Sequence, residues 1–142
     1  MRILLAVDGS KHSLNAVQFL IEHSGWLREK PQIDLVTVHL PVPKLPGMGA
    51  AVSKAQVEKY YQEESERSLA DARKKLDAAG VRYEAHTLVG PVAETLVKHA
   101  KDKRCELICI GTRGLSELGK ALVGSTATKV VHISDVPVLL VK

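Results

Sequence analysis

The chain has 142 residues, of which 45% are hydrophobic and 25% charged, values that are ordinary for one folded domain. Its net charge of +4 comes from scattered basic residues, and aromatics make up only 4%, so a nucleic-acid-binding surface is not indicated. No apolar run is long enough to span a membrane. Asp8 interrupts the apolar start of the chain, which predicts a first strand there rather than a signal peptide. We therefore expect a cytoplasmic protein.

The first third of the chain alternates between strand and helix patterns. Residues 2–7 are apolar and predict a buried strand. Asp8 and Ser10 are residues that cap helices, and the apolar positions after them recur at helical spacing. Residues 33–40 are apolar and β-branched, which favours a second strand. Residues 41–55 contain three prolines and two glycines and predict a surface loop.

A long helix is predicted from about residue 55 to residue 79. Its apolar residues recur on one face, and Gly80 follows at the position where glycine commonly ends a helix. The predicted stripe consists of Leu69, Ala72, Leu76 and Ala79.

The rest of the chain repeats the alternation. The predicted elements are a strand at 81–89, a helix with Pro91 in its first turn, a strand at 106–111, a helix at 125–133 and a strand at 136–142. Strands that alternate with helices imply a parallel sheet covered on both faces. We therefore predict a single doubly wound α/β domain over residues 1–142.

Cysteines and histidines give no further site in the sequence. Cys105 and Cys109 are expected on the same face of one strand, too far apart for a disulfide, and are interpreted as small buried hydrophobes. No pair of histidines has metal-site spacing within a plausible site, so all are interpreted as surface or packing residues. They are His12, His23, His39, His86, His99 and His132.

Two strand ends carry unusual residues. The first strand ends in "VDGS" and the fourth in "GTRG", which begins a glycine-rich stretch at 111–126. Ligands of doubly wound sheets bind where the winding direction reverses. If these two strands are neighbours, Asp8 faces the glycine-rich stretch at this point. The Asp8 carboxylate could then bind sugar hydroxyls, and the backbone amides of the glycine-rich stretch could bind phosphates.

The end of the glycine-rich stretch begins a helix. Glycine permits close backbone approach and positive φ, and the first amides of a helix attract anions. Gly124 stands at this helix start, and Ser125 and Thr126 add hydroxyl donors. Arg113 and Lys120 add positive charge.

Two common nucleotide-binding motifs do not fit. Residues 114–121 approach the P-loop pattern, but Ala121 stands where the magnesium-binding hydroxyl belongs. Residues 47–52 lack the third glycine of the dinucleotide fingerprint and follow a proline-rich loop rather than a strand.

The glycine spacing resembles another pattern. Gly111, Gly114, Gly124 and Ser125 match G-x2-G-x9-G-[ST], the motif of nucleotide-binding members of the universal stress protein family. The segments "VDGS", "VHL" and "VPVLLVK" also match that family in order and position, so the resemblance covers the whole chain.

The resemblance implies a five-stranded parallel sheet of order 3-2-1-4-5 and ATP binding. It places Asp8 at the adenosine end and the backbone of Leu40 at adenine, while Ala6 stands where some relatives have proline. The site residues that it implies are Ala6, Asp8, Leu40, Gly111, Arg113, Gly114, Gly124, Ser125 and Thr126. We expect ATP to bind with magnesium, because the negative charge of the triphosphate needs neutralising. The sequence does not assign the residues that hold the metal.

Three functions remain open from the sequence. The first is a nucleotide-binding regulatory module of the stress response. The second is an ATP-cleaving or adenylating enzyme, although the S-G-G-x-D-S and H-x-G-H motifs and a clear general base are absent from the sequence. The third is a dimeric scaffold that binds no nucleotide. The apolar C-terminal strand, 137–141, is an edge strand in the implied order and predicts a homodimer.

Overall fold

The predicted alternation of strands and helices is present in the computed structural model, which describes residues 1–27, 29–42, 53–114 and 123–142. The elements are β1 (Arg2–Ala6), α1 (Lys11–Glu22), β2 (Gln32–His39), α2 (Lys54–Ala78), β3 (Tyr83–Val89), α3 (Val92–Asp102), β4 (Leu107–Gly111), α4 (Ser125–Ile133) and β5 (Val138–Val141). A short 3₁₀ helix, Ser24–Trp26, was not predicted. Most of the predicted loop at 41–55 lies outside the described residues.

All five strands are parallel, and their order in the sheet is β3-β2-β1-β4-β5. The predicted doubly wound fold is therefore confirmed. β1 lies at the centre, where Ala6 pairs with Val36 of β2 on one side and with Ile110 of β4 on the other. The chain winds outward from β1 in both directions, so the carboxyl ends of β1 and β4 are neighbours at the switch point.

The side chains of β1 alternate between two hydrophobic cores. Ile3 and Leu5 pack with α1 and α2, whereas Leu4 and Ala6 pack with α3 and α4. Both faces of the strand are buried, which explains its continuous apolar sequence. Within the described residues, no helix is both long and apolar enough to cross a membrane.

The C-terminus of α2 is fixed by Gly80. This residue has φ of +65°, and its N–H donates to the Asp77 carbonyl at 3.0 Å. The Val81 N–H donates to the Leu76 carbonyl at 3.0 Å, completing the hydrogen-bond pattern that commonly ends helices at glycine. Ala79 is exposed, contrary to the predicted buried stripe, because the helix already ends there.

The starts of α1 and α3 differ in detail from the prediction. Ser10 alone caps α1, with its side chain accepting the Ser13 N–H at 3.2 Å. Asp8 instead accepts the Ser10 N–H through Oδ1 at 2.9 Å, so it organises the turn before the helix. Pro91 is the capping residue that precedes α3 and is not in its first turn.

The two cysteines are buried and free, but they do not share a face. Cys105 packs in the core beside α3 and α4, and Cys109 packs in the core beside α1 and α2. The expectation of a common face was wrong because β4 begins only at Leu107, so strand alternation does not extend to Cys105. Burial raises the pKa of Cys105 to about 11 and that of Cys109 to about 12, which keeps both thiols protonated.

Candidate functional site

A cleft of about 340 Å³ opens at the carboxyl ends of the central strands. Eight of the nine predicted site residues line it: Ala6, Asp8, Leu40, Gly111, Arg113, Gly114, Gly124 and Thr126. The ninth, Ser125, is the exposed first residue of α4 and is not among the lining residues. The fold therefore brings together residues that are up to 120 positions apart, from Ala6 to Thr126.

The Asp8 carboxylate lies directly against the glycine-rich stretch. A Cβ atom added at Gly114 would stand 2.6 Å from Asp8 Oδ2, so only a residue without a side chain allows this approach as it stands. The other carboxylate oxygen accepts the Ser10 N–H. One oxygen is thus used to orient the carboxylate, and the other faces Gly114 across the switch point.

The motif glycines permit close approach rather than unusual backbone angles. A Cβ atom at Gly111 would lie 2.6 Å from the backbone carbon and oxygen of His12 and 2.8 Å from the Ser13 nitrogen. Gly124 has φ of −77°, and neither Gly111 nor Gly114 has positive φ. The expectation of positive φ is therefore wrong for these three residues. The glycine at position 119 lies outside the described residues.

The start of α4 faces the cleft through Thr126. Gly124 occupies the capping position without a side-chain cap, and its own N–H donates to the Thr112 carbonyl at 2.7 Å. This amide is thus used within the fold, and the next amides of the helix carry the positive end of its dipole. Thr112, which the sequence analysis missed, also donates its N–H to the Val141 carbonyl at 2.7 Å and so ties β4 to β5.

Leu40 lies where β2 leaves the sheet, and it is 66% exposed. Tyr61 of α2 holds this segment from above: its hydroxyl donates to the Leu40 carbonyl at 3.4 Å and accepts the Val42 N–H at 2.7 Å. The backbone position that the resemblance assigns to adenine is therefore braced by a helix. Sequence reasoning missed this contact because nothing local in residues 53–65 indicates which strand α2 covers.

His39 lies in the wall of the cleft. Its Nε2 is 2.9 Å from the Ser65 hydroxyl, and that hydroxyl in turn donates to the Tyr61 carbonyl. Burial lowers the pKa of His39, which favours the neutral imidazole. α2 also contributes Tyr60, Glu64 and Ser68 to the lining.

The cleft lining has two chemically different parts. One wall is apolar and suits a flat aromatic ring; it contains Val36, Val38, Val92, Leu96 and Ile110. The polar part of the lining contains Asp8, Arg113 and the start of α4. Asp8 and Glu64 are the carboxylates among the described lining residues. Lys120 and most of the segment at 114–121 lie outside the described residues.

The structure also brings two of the histidines together beside an acid. His86 of β3 and His99 of α3 lie together, with ring centroids 4.7 Å apart, and both approach Asp34 of β2. The three residues offer ligand atoms within 4.8 Å of one another. No sequence spacing connects these residues, so nothing in the sequence indicated the cluster that the fold assembles.

A parallel sheet of order 3-2-1-4-5 with a cleft at its switch point defines a doubly wound α/β protein, and the cleft lies where proteins of that class bind ligands. All 142 residues match the model of the Universal stress protein family, and the chain belongs to that family.

Relatives and solved structures agree with this assignment. A universal stress protein of Thermus aquaticus is 32% identical over 145 residues, covering 99% of this chain and 97% of the relative. Universal stress protein UspA from Lactobacillus plantarum has the same fold, with a TM-score of 0.82 and 18% identity over 100% of this chain and 97% of that one. A universal stress protein in complex with cAMP has a TM-score of 0.70 and 25% identity, covering 100% of this chain and 97% of that one.

Proposed function

We propose that this protein is a cytoplasmic, ATP-binding regulatory module of the stress response, and that the nucleotide occupies the cleft between β1 and β4. One observation carries the proposal: Asp8 Oδ2 stands against Gly114 at the switch point, at the mouth of a cleft with an apolar wall. A carboxylate and a helix start that line the same cleft suit a molecule with sugar hydroxyls and phosphates.

Each part of the nucleotide has a matching surface in this proposal. Adenine lies along the apolar wall beside the backbone of Leu40, and the ribose hydroxyls donate to Asp8. The phosphates take the side of Arg113 and the start of α4, where Thr126 adds a hydroxyl. The solved universal stress protein with bound cAMP supports an adenine nucleotide as the ligand class.

We further propose that ATP binds with Mg²⁺. Mg²⁺ in nucleotide sites is held by one or two carboxylates together with the phosphates. Glu64 is the described lining carboxylate that the ribose does not use, and it would take this part. The ion would supply charge neutralisation for the triphosphate.

The proposal includes a homodimer through β5. This strand lies at the edge of the sheet, and its side chains from Val138 to Leu140 are partly exposed. The Ile108 and Thr112 amides donate to the carbonyls of Pro137 and Val141, so by alternation the backbone groups of Leu140 face away from β4. Pairing with β5 of a second copy would satisfy those outward-facing groups.

Isothermal titration calorimetry on nucleotide-free protein tests the nucleotide proposal. We expect ATP to bind at one site per chain in the presence of Mg²⁺ and more weakly without it. Asp8→Asn removes the charge but keeps an oxygen for the Ser10 N–H, and should weaken binding about 10–100-fold, the effect of one hydrogen bond to a charged group. Asp135→Asn is the matched control, because Asp135 is 91% exposed and lies beyond the C-terminal end of α4, whose N-terminal end lines the cleft.

Absence of ATP binding by folded, nucleotide-free protein with Mg²⁺ would leave only the scaffold function. Phosphate release at more than the rate of an Asp8→Asn control would instead favour the enzyme. Mass spectrometry of small molecules released from purified, denatured protein gives an independent result, and we expect an adenine nucleotide.

A further inference from the structure

A buried acid lies at the opposite end of the sheet from the cleft. Asp34 is near the start of β2, and its side chain is 1% exposed. Arg2 holds the carboxylate: its Nη2 donates to Oδ1 at 2.7 Å, and its Nε contacts both oxygens at 3.0 and 3.2 Å. Burial by itself raises the pKa of Asp34, but the hydrogen bond and charge of Arg2 outweigh it, so the carboxylate stays ionised.

Two imidazoles face this carboxylate from neighbouring elements. His86 Nε2 lies 3.7 Å from Asp34 Oδ1, and His99 Nε2 lies 3.5 Å from Asp34 Oδ2. Both Nε2 atoms are buried and have no hydrogen-bond partner. A buried polar nitrogen without a partner is costly, so the arrangement calls for a group that contacts both imidazoles and the acid.

The separations fit ligands around one metal ion better than direct hydrogen bonds. Nitrogen and oxygen atoms at 3.5–3.7 Å are too far apart for good hydrogen bonds. Ligands at about 2.0–2.1 Å from a tetrahedral zinc ion stand about 3.4 Å from one another. Small side-chain movements would therefore bring the atoms, which now lie within 4.8 Å of one another, to that geometry.

We propose that Asp34, His86 and His99 form a binding site for a divalent transition-metal ion of the zinc class. Two imidazoles and one carboxylate are the ligands that such ions prefer, whereas Mg²⁺ and Ca²⁺ take oxygen ligands. The ligands come from β2, β3 and α3, so the ion would tie together one edge of the sheet and the helix that covers it.

The surroundings of the three ligands suit this role. Arg2 orients Asp34 and also donates to Glu84 Oε2 at 3.1 Å, and the Cys105 Sγ lies 3.8 Å from Asp34 Oδ2, so the carboxylate is held in place by both residues. Hydrogen-bonded carboxylates are the rule in metal sites. Asp34 and Glu84 together carry one more negative charge than Arg2 offsets.

Zinc titration of metal-free protein against a chromophoric chelator tests the proposal, without nucleotide present. We expect one zinc ion per chain and a higher Tm with zinc than with chelator. His99→Gln and His86→Gln should each lower zinc affinity at least about 100-fold. This loss is larger than the one typically caused by replacing a residue that only hydrogen-bonds to a metal ligand. His132→Gln, on the exposed side of α4, is the matched control and should bind as the wild type does.

Cobalt gives a second readout that does not depend on stability. Co²⁺ in the wild-type protein should show the visible absorption of a low-symmetry site, and this absorption should be lost in both histidine variants but kept in His132→Gln. Thermal unfolding of each variant shows whether it is folded. A folded wild-type protein that does not retain zinc, or zinc binding that survives both replacements at wild-type affinity, would overturn the proposal.

Discussion

Replacing Gly111 with alanine tests the close contact between the end of β4 and the start of α1. The ideal Cβ position at Gly111 lies 2.6 Å from the backbone carbon and oxygen of His12. The neighbours are backbone atoms of a helix, which have no rotamer that would move them aside. Either the first turn of α1 or the end of β4 must therefore shift.

The structure sets the size of the effect. Ordinary contact begins near 3.4 Å, so the shift is about 0.8 Å. Overpacking of a well-packed region costs about 1–3 kcal/mol. Gly25→Ala is the matched control, because nothing lies within 4 Å of its Cβ position and its φ is not positive. That change should stabilise the protein by about 0.4–1 kcal/mol, because alanine lowers the conformational entropy of the unfolded chain.

The two alanine variants should thus differ by roughly 1.5–4 kcal/mol in the free energy of unfolding. For a domain of this size the difference corresponds to about 5–15 °C in Tm. Urea unfolding and thermal melting both measure it, and unchanged m-values would show that the denatured state is unaffected. Equal Tm values for Gly111→Ala and Gly25→Ala would refute the close contact and the assignment of Gly111 to packing.

Three further outcomes are expected. The Cβ atom of a Gly114→Ala variant would meet only the end of the flexible Asp8 side chain, so this variant should have the same Tm as Gly25→Ala. It should nevertheless bind ATP about 10-fold more weakly, because displacing the carboxylate costs one hydrogen bond to the nucleotide. Calorimetry that shows unchanged ATP affinity contradicts this prediction. Leu140→Pro removes an outward-facing N–H donor of β5 and should sediment as a monomer, whereas Leu140→Ala keeps this donor and should sediment as a dimer. A wild-type protein that sediments as a monomer at high concentration would exclude the dimer. Burial lowers the pKa of His39 in the folded protein, so the unfolded chain binds the proton first as pH falls below about 6.5 and stability is lost there. Urea unfolding of His39→Gln, which keeps a hydrogen-bonding group, should show a smaller loss over the same range, and an identical pH dependence would contradict the assignment.

The sequence was sufficient for features that depend on neighbours along the chain. Alternating strand and helix patterns predicted all nine elements, and the seven for which bounds were predicted lie within about two residues of their described bounds, because hydrophobic periodicity is set locally. Gly80 ended its helix as expected for the same reason. The glycine spacing, together with the resemblance, also predicted the residues that meet Asp8 at the switch point, since the strand order of this fold brings the ends of β1 and β4 together.

Tertiary structure alone decided which distant side chains meet. Asp34, His86 and His99 lie on three elements, and their approach depends on strand register and on the rotation of α3 over the sheet. The same holds for Tyr61, which reaches the exit of β2 only because α2 crosses there. Chain neighbours constrain backbone angles and the face a residue takes, but they carry no information on which face of another element lies opposite. The packing of the two cores on either side of β1 determines which faces lie opposite one another, and this packing brings together the residues of the second candidate site.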